Sequence, residues 1–300
     1  IGSGGRVYDL ALEAVRIRGA ARMGALAGYS EGSLVNCSAA GDIEAGDESS
    51  WVGGLIGINA GGLAGCYADV AIGAGQRSSM LGGLVGLHQG RILKCRAAGS
   101  LLAGDKSFFL GGLVGMSLEG AIEDSNAQGP IGGNDGAWAI GGLVGRLDSE
   151  SLMIRCYATG DVMAERDGHD LGGLVGQNWY GSMRWCFATG AVRGDAGSHT
   201  LGGLVGSCLG GRIVACHADG PVSGRQGSGP CGQRCTSTRP ASVVADCYAN
   251  ARLLVDGNLY GRGGLVGRVA GPQDARVVQC FWDVEVSGAS VSAAGEGLTT

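Results

Sequence analysis

The chain has 300 residues and a net charge of −5, and 62 of its residues are glycine. This glycine content is about three times the usual share, but there is no Gly-X-Y period, which excludes collagen. Acidic and basic residues are interspersed without a basic stripe, so nucleic acid is not an expected partner. No apolar run approaches the roughly 18 residues that a membrane-spanning helix needs, so no membrane span is predicted.

The first residue is Ile1, and we expect the chain to be a processed or excised segment. A signal peptide is not recognisable, but in an excised segment its absence says nothing about export.

A glycine-rich hexapeptide, LGGLVG with close variants, recurs along the chain. It occupies residues 23–28, 52–57, 81–86, 110–115, 140–145, 171–176, 201–206 and 262–267. Successive copies are 29–31 residues apart, except for a last gap of 61 residues, which is about two periods. A fixed period of roughly 20–50 residues is typical of a solenoid.

Cysteines recur with the same period and form a second column, with Ser125 in the one turn that lacks a cysteine. The members of this cysteine ladder are Cys37, Cys66, Cys95, Cys156, Cys186, Cys216, Cys247 and Cys280. Alanine follows two residues later in eight of the nine turns, and valine, isoleucine or leucine follows six residues later. Even spacings of this kind place residues on one side of a strand, and helical periodicity is absent.

The sequence therefore predicts an all-β fold, a single-stranded β-helix or β-solenoid, with about nine coils of 29–31 residues and roughly three short strands in each. Coils stacked at the strand spacing would form a rod about 40 Å long. Two residues before a ladder position the side chain is often apolar, at Val35, Leu93, Ile154, Val214 and Val278. Arg184 and Glu123 break this pattern, so we expect that end of the strand to lie near a corner. We expect a single domain over residues 1–300, with an irregular insertion at 224–242 and a terminal segment at 281–300. The handedness of the solenoid does not follow from the sequence.

The hexapeptide could be read as a phosphate-binding loop if a helix followed it. No helical pattern follows, and no Lys-Ser/Thr pair closes the motif. We interpret the glycines as positions where backbones turn and pack closely.

The repeat unit resembles a known family. Residues 84–99, LVGLHQGRILKCRAAG, and residues 174–190, LVGQNWYGSMRWCFATG, are similar to the GLUG repeat, whose glycine–leucine–any–glycine core is here residues 83–86. Residues 7–32 resemble the lead-in strand of such arrays, and residues 280–300 resemble their terminal segment. GLUG arrays are parts of large bacterial surface and secreted proteins. The resemblance implies an extracellular or cell-surface rod, and it brings no catalytic residues.

The ladder cysteines are interpreted as small buried apolar side chains, with a metal or redox column as the alternative. Three cysteines lie outside the ladder: Cys208, Cys231 and Cys235. Cys231 and Cys235 fall in the irregular insertion, where we expect a local disulfide. The alternative, a metal site, would need two further ligands that the sequence does not supply nearby. No metal and no cofactor are expected.

The residue after each ladder position is predicted to face outward. In the last five turns this outer stripe consists of Tyr157, Phe187, His217, Tyr248 and Phe281. Contiguous exposed rings often mark contact sites, so one hypothesis is a surface that stacks on sugars or docks a neighbouring rod. The alternative is plain stabilisation between adjacent strands.

Two function classes remain. We predict a structural or adhesive rod, whose partners are a glycan, a host surface, or further copies of the chain bound laterally or head to tail in a fibre, because neither end has a recognisable cap. The alternative is a carbohydrate-active β-helix enzyme, a polysaccharide lyase or hydrolase, with carboxylates drawn from Asp161, Glu165, Asp167, Asp170 and Asp195. No acidic column keeps a constant register, so no catalytic residue is assigned.

Overall fold

The computed structural model describes residues 1–224, 243–249, 253–255, 262–263, 266–269, 276–283 and 296–298. Within these ranges every regular element is a β-strand, so the all-β prediction is confirmed. In the same ranges no helix is long and apolar enough to cross a membrane.

The first coils contain three unusually long strands among shorter ones. In chain order these first strands are β1 (Arg6–Tyr8), β2 (Ala11–Met23), β3 (Ala27–Ser30), β4 (Ser33–Val35), β5 (Ser38–Gly53), β6 (Ile56–Asn59), β7 (Gly62–Ala64), β8 (Tyr67–Ala74) and β9 (Ser79–Gly82). The long strands β2, β5 and β8 run through positions at which later coils are divided into shorter strands.

Later coils repeat a set of five short strands. They are β10 (Val85–His88), β11 (Arg91–Leu93), β12 (Arg96–Ala97), β13 (Leu101–Ala103), β14 (Phe108–Gly111), β15 (Val114–Ser117), β16 (Ala121–Glu123), β17 (Asn126–Ala127), β18 (Ile131–Gly133), β19 (Trp138–Gly141), β20 (Val144–Leu147), β21 (Leu152–Ile154), β22 (Tyr157–Ala158), β23 (Val162–Ala164) and β24 (His169–Gly172). The set continues with β25 (Val175–Asn178), β26 (Ser182–Arg184), β27 (Phe187–Ala188), β28 (Val192–Gly194), β29 (His199–Gly202), β30 (Val205–Cys208), β31 (Arg212–Val214), β32 (His217–Ala218) and β33 (Val222–Gly224).

Beyond residue 224 the structure describes separate short strands. These are β34 (Val243–Ala245), β35 (Tyr248–Ala249), β36 (Leu253–Val255), β37 (Arg262–Gly263), β38 (Val266–Val269), β39 (Arg276–Val278), β40 (Phe281–Asp283) and β41 (Glu296–Leu298). Most of the expected insertion at 224–242 and most of the terminal segment lie outside the described residues.

The strands form three parallel sheets that run along the molecule. Sheet 1 has the order β1-β4-β7-β11-β16-β21-β26-β31-β34-β39, sheet 2 has the order β3-β6-β10-β15-β20-β25-β30-β38, and the remaining strands form sheet 3. Equivalent residues of successive coils are partners, so Val85 pairs with Ile56 on one side and Val114 on the other. This arrangement is the predicted β-solenoid. Sheet 2 contributes seven strands to residues 1–224, which gives about seven coils in that range; the nine predicted coils were counted over all 300 residues.

Each coil turns at a corner that has a left-handed backbone. The residue before the ladder position has a positive φ in turn after turn, for example 53° at Lys94 and 51° at Arg155. A corner was expected near this position, and its left-handed residue interrupts the alternation of two along the strand. Leu93 is therefore only half-buried, whereas Ile92, one residue earlier, is fully buried. Val35 and Ile154 are half-buried in the same way.

The hexapeptide folds one sheet back against another, so its leucine and valine, such as Leu84 and Val85, are both fully buried. Its glycines serve close packing rather than turning, because none of the three in residues 81–86 has a positive φ. A Cβ on Gly83 would lie 2.1 Å from the carbonyl oxygen of Gly112 and 3.1 Å from the Cβ of Ala97. The alanine column is therefore small because it packs against the glycine column.

Candidate functional site

The cysteine ladder lies at the left-handed corner and inside the core. All eight of its cysteines are buried and free, at positions 37, 66, 95, 156, 186, 216, 247 and 280. Each thiol donates a hydrogen bond to the carbonyl oxygen two residues earlier, for example Cys95 to Leu93 and Cys156 to Ile154, both at 3.3 Å. The thiol therefore bridges the corner.

The same sulfur also accepts a hydrogen bond from the neighbouring coil. The N–H of Cys66 donates to Sγ of Cys95, and the N–H of Cys186 donates to Sγ of Cys216, each at 3.4 Å. The ladder cysteine is thus a polar corner element, and the interpretation as a purely apolar filler was incomplete.

These contacts shift the pKa of neighbouring ladder thiols in opposite directions: Cys95 and Cys156 are held protonated, while their hydrogen bonds lower the pKa of their partners Cys66 and Cys186. The hydrogen bond with Cys186, followed by burial, raises the pKa of Cys156 well above its usual value, and the hydrogen bond with Cys66, followed by burial, does the same for Cys95. The thiolate is the form that attacks substrates and binds metals, so the protonated thiols of Cys95 and Cys156 are chemically quiet. Across the described ranges, no three His, Cys, Asp or Glu side chains are grouped in a way that could hold a metal ion.

The other cysteines differ in their placement. Cys208 is buried at the end of β30, and its thiol donates to the carbonyl oxygen of Gly210 at 3.2 Å. Cys231 and Cys235, for which a disulfide is predicted, lie outside the described residues.

The outer stripe forms a stack over part of its length. The ring centroids of Tyr157 and Phe187 are 4.9 Å apart with an angle of 4° between the rings, and those of Phe187 and His217 are 5.0 Å apart with an angle of 8°. Tyr248 pairs in register with His217, and Phe281 with Tyr248. Because Phe187 has a ring against each face, it offers only its edge to a ligand. This geometry favours stabilisation between coils over sugar stacking at Phe187.

A second aromatic column runs through β14, β19, β24 and β29 and was not identified from the sequence. It consists of Phe108, Trp138, His169 and His199, whose successive centroids are 5.0, 5.5 and 5.3 Å apart. Each ring lies two residues before the first residue of a hexapeptide. That first residue is leucine in three of the four coils and isoleucine in the coil of Trp138. This constant spacing was the available signal.

Arg146 lies between two aromatic rings beside this column. Its guanidinium carbon is 5.2 Å from the ring centroid of Phe109 and 4.1 Å from that of Trp179. Phe109 in turn packs edge-on against Trp138 of the second column, at 4.9 Å. Arg146 Nη2 donates to Asp148 Oδ2 at 2.9 Å, and the two side chains are only 16% and 14% exposed. The ion pair is therefore shielded from solvent.

Gln177 is the partner of Arg146 in the next coil of sheet 2. Its Nε2 donates to Asp170 Oδ2 at 3.1 Å, and that oxygen is 3.4 Å from Nδ1 of His169. We call Arg146, Asp148, Asp170, Gln177 and Trp179 the Arg146 cluster. Two of its buried atoms, Arg146 Nε and Gln177 Oε1, have no hydrogen-bond partner.

Two of the carboxylates considered for an enzyme, Asp161 and Asp170, contact different partners. Oδ1 of Asp161 accepts the N–H of Ala191 at 2.9 Å, and its Oδ2 is 3.5 Å from Arg193 Nη1. Asp170 belongs instead to the Arg146 cluster. The described contacts do not join these two acids into one acid–base pair.

A buried polar column stands at the end of the sheet 2 strands. It consists of Ser30, Asn59, His88, Ser117, Asn178 and Cys208, with Leu147 between Ser117 and Asn178. The Nδ1 of His88 lies 3.2 Å from Asn59 Nδ2 and accepts its hydrogen, while Nε2 donates to the carbonyl oxygen of Ala121 at 3.2 Å. Burial lowers the pKa of His88 to about 4, so the ring is neutral at physiological pH.

Residues 136–163 match the family model described as the GLUG motif. This segment is about one coil and contains β19 to β22, including the hexapeptide at 140–145 and the ladder residue Cys156. Comparisons with curated proteins and with solved structures found no match. The chain therefore carries the GLUG motif, on one coil of a β-solenoid whose other coils repeat the same structure.

Proposed function

We propose that the protein is an extracellular structural rod with an adhesive surface, able to associate with further copies of itself. The observation that carries the proposal is the continuous in-register stack of parallel coils in sheets 1 to 3. A stack of this kind repeats the same surface position about every 4.8 Å. It can therefore present one type of contact many times along a stiff axis.

Stiffness of the rod has its source in the core. The largest fully buried side chains, among them Leu34, Leu84 and Ile122, belong to one continuous apolar cluster. Ion pairs also join neighbouring coils, as between Arg77 and Glu48 at 2.8 Å and between Arg155 and Asp124 at 2.6 Å. Exposed pairs contribute at most about 1 kcal/mol each, so burial is the main source of stability.

Self-association is supported by the first coil. In the described part of the chain β1 pairs with β4 alone, β2 with β5 alone and β3 with β6 alone. Ile17 of β2 is half-buried, whereas its partner Ile43 in the next coil is fully buried. An unpaired strand edge over partly covered apolar side chains favours addition of another parallel coil, and self-association requires that a second copy supply that coil.

The extracellular location is supported by the resemblance of the repeats to the GLUG arrays of surface and secreted proteins. Fractionation of the producing cells tests it, with recovery in the surface or secreted fraction expected. Recovery of the native protein in the cytosol alone would contradict this part of the proposal.

Self-association is tested by sedimentation velocity and negative-stain electron microscopy over a range of protein concentrations. We expect rods of constant width that lengthen as the concentration rises. Ile17→Lys places a charge at the partly covered apolar edge and should shorten the rods. Ala20→Lys adds the same charge at an exposed position of the same strand and should not.

Uniform short particles at every concentration would exclude the self-association. Release of reducing ends from polysaccharides by the purified chain would instead favour the alternative, a carbohydrate-active enzyme.

A further inference from the structure

The Arg146 cluster contains two buried polar atoms that the protein itself leaves without partners. Gln177 is only 7% exposed, and its Oε1 accepts no hydrogen bond. Arg146 Nε, in the adjacent position of sheet 2, donates none. Buried polar groups in folded proteins nearly always have a partner, in the protein, in ordered water or in a ligand.

The fold does not require polar side chains at this position. In the three coils before Arg146 the same column of sheet 2 is apolar, with Ile58, Leu87 and Met116. Met116 is the direct neighbour of Arg146 in the sheet. Apolar residues therefore satisfy the packing here, and the polar pair with its unpartnered atoms calls for another explanation.

The chemistry of the two atoms selects the ligand. Arg146 Nε is a donor and Gln177 Oε1 is an acceptor. A hydroxyl group can accept from the first and donate to the second, which neither a carboxylate nor an ammonium group can do. Hydroxyl groups are the recurring functional group of sugars.

The charges of the cluster and its aromatic ring narrow the class of sugar further. Asp148 and Asp170 supply two negative charges against the one positive charge of Arg146, so the cluster disfavours acidic sugars. The half-buried ring of Trp179 is the aromatic member of the cluster, and aromatic walls with a few placed polar groups are typical of small-molecule sites.

We propose that the Arg146 cluster binds a neutral saccharide, with one hydroxyl group held between Arg146 Nε and Gln177 Oε1 and the sugar packed beside Trp179. This inference rests on the proposed adhesive function and names the ligand class of one site on that surface, separate from the contacts that repeat in every coil. The site occurs once in residues 1–224, since only these two coils place arginine and glutamine together in the column.

Side-chain NMR provides the test, with glucose, galactose and N-acetylglucosamine as probes and glucuronate as the acidic comparator. We expect at least one neutral sugar to shift the Arg146 Nε–H, Gln177 amide and Trp179 indole signals saturably, in the millimolar range. Glucuronate should bind more weakly. Arg146→Met and Gln177→Ser install the residues found at positions 116 and 207 of the same column, and each should weaken binding about tenfold or more.

Thermal unfolding of both variants should stay close to that of the parent chain, because their replacements already occur in neighbouring coils. No saturable shift with any neutral sugar would overturn the inference, as would equal binding by the variants. A crystal structure soaked in sugar that shows only an ordered water between the two atoms would overturn it too. Rods that still form while sugar binding is absent leave the structural function intact, so the two failures are distinguishable.

Discussion

The backbone N–H of Cys95 donates to Oγ of Ser125 at 3.0 Å, in the place where the N–H of Cys66 donates to Sγ of Cys95. Ser125 Oγ also donates across its own corner to the carbonyl oxygen of Glu123 at 2.7 Å. Serine therefore makes both hydrogen bonds that the ladder thiol makes. This equivalence explains why one turn of the ladder can lack a cysteine.

The exchange of serine and cysteine gives the first prediction. Ser125→Cys should retain both hydrogen bonds and leave stability nearly unchanged. Ser125→Ala leaves the buried N–H of Cys95 without its acceptor, which should cost about 1–3 kcal/mol. Thermal unfolding followed by circular dichroism measures both variants. Equal stability of the alanine variant and the parent would show that the hydrogen bonds at the corner are dispensable.

The glycine column gives the second prediction. Gly83→Ala would place a Cβ 2.1 Å from the carbonyl oxygen of Gly112, and that contact cannot be relieved by a side-chain rotation. We expect a loss of more than about 3 kcal/mol, or failure to fold. Gly73→Ala is the matched control, because Gly73 is exposed and its Cβ would meet nothing within 4 Å. A Gly83→Ala protein as stable as the control would contradict the close packing.

The third prediction concerns the stability of the fold at acidic pH. Burial lowers the folded-state pKa of His88 to about 4 from its usual 6.5, so the unfolded chain binds a proton more readily than the folded one. The contribution of neutral His88 to the free energy of unfolding is then fully present above about pH 6.5. It is lost as the pH drops towards 4, by roughly 3 kcal/mol in total. His88→Asn, which places the residue of position 59 in the same column, should remove this slope.

The surface acids act in a separate and lower pH range. Hydrogen bonds from Arg155 and Arg166 lower the pKa of Asp124 and Asp135 below 3.8. Their contribution is present above the usual carboxyl range and is lost only as the pH falls through the lowered values. Urea unfolding at pH 7, 5.5 and 4.5 therefore reports His88, and a parent chain with constant stability over these values would refute the assignment.

The fourth prediction separates the two interpretations of the outer stripe. Phe187→Ser removes a ring stacked on both faces and should cost about 1 kcal/mol or more, with no effect on sugar binding. Trp185→Asn is the control: Trp185 is 56% exposed at a left-handed corner, and Asn36 occupies that corner in an earlier coil. Loss of association by a Phe187→Ser protein of unchanged stability would instead support a contact surface.

The repeat could be predicted from the sequence because its columns are chemically uniform. Each column has room for one size of side chain, as for alanine at 39, 68 and 97 and leucine at 55, 84 and 113. The period can therefore be recognised in the amino-acid sequence. The family resemblance at 84–99 and 174–190 rests on the same uniform columns, and the match at 136–163 agrees with it.

The left-handed corners were hidden because their residues have nothing in common. Lys94, Asp124, Arg155 and Trp185 differ in charge, size and polarity, and share only a positive φ. Solvent accepts any of these side chains, while the neighbouring coils impose the backbone conformation. No residue type therefore marks the left-handed position itself, and only Glu123 and Arg184, which interrupt an apolar column one residue earlier, indicated that a corner was near.

The Arg146 cluster was hidden for a different reason. Its members come from two successive coils and from both sheet 2 and sheet 3, and their column holds other residue types elsewhere. Arg146 and Gln177 are informative only together, because the unpartnered atoms appear once both side chains are placed. Uniform columns reveal a fold, but a site that interrupts them is recognised only in three dimensions.

The close approach of Gly83 to the carbonyl oxygen of Gly112 in the next coil is repeated by Gly54 with Gly83 and by Gly173 with Gly203. Each junction between coils thus has the same shape, so excising or duplicating one complete unit rejoins surfaces that already fit. Unequal recombination within such a gene would change the reach of the encoded protein in discrete steps while leaving its cross-section alone. The length of the rod is therefore set by the number of repeat units and needs no new contacts when that number changes.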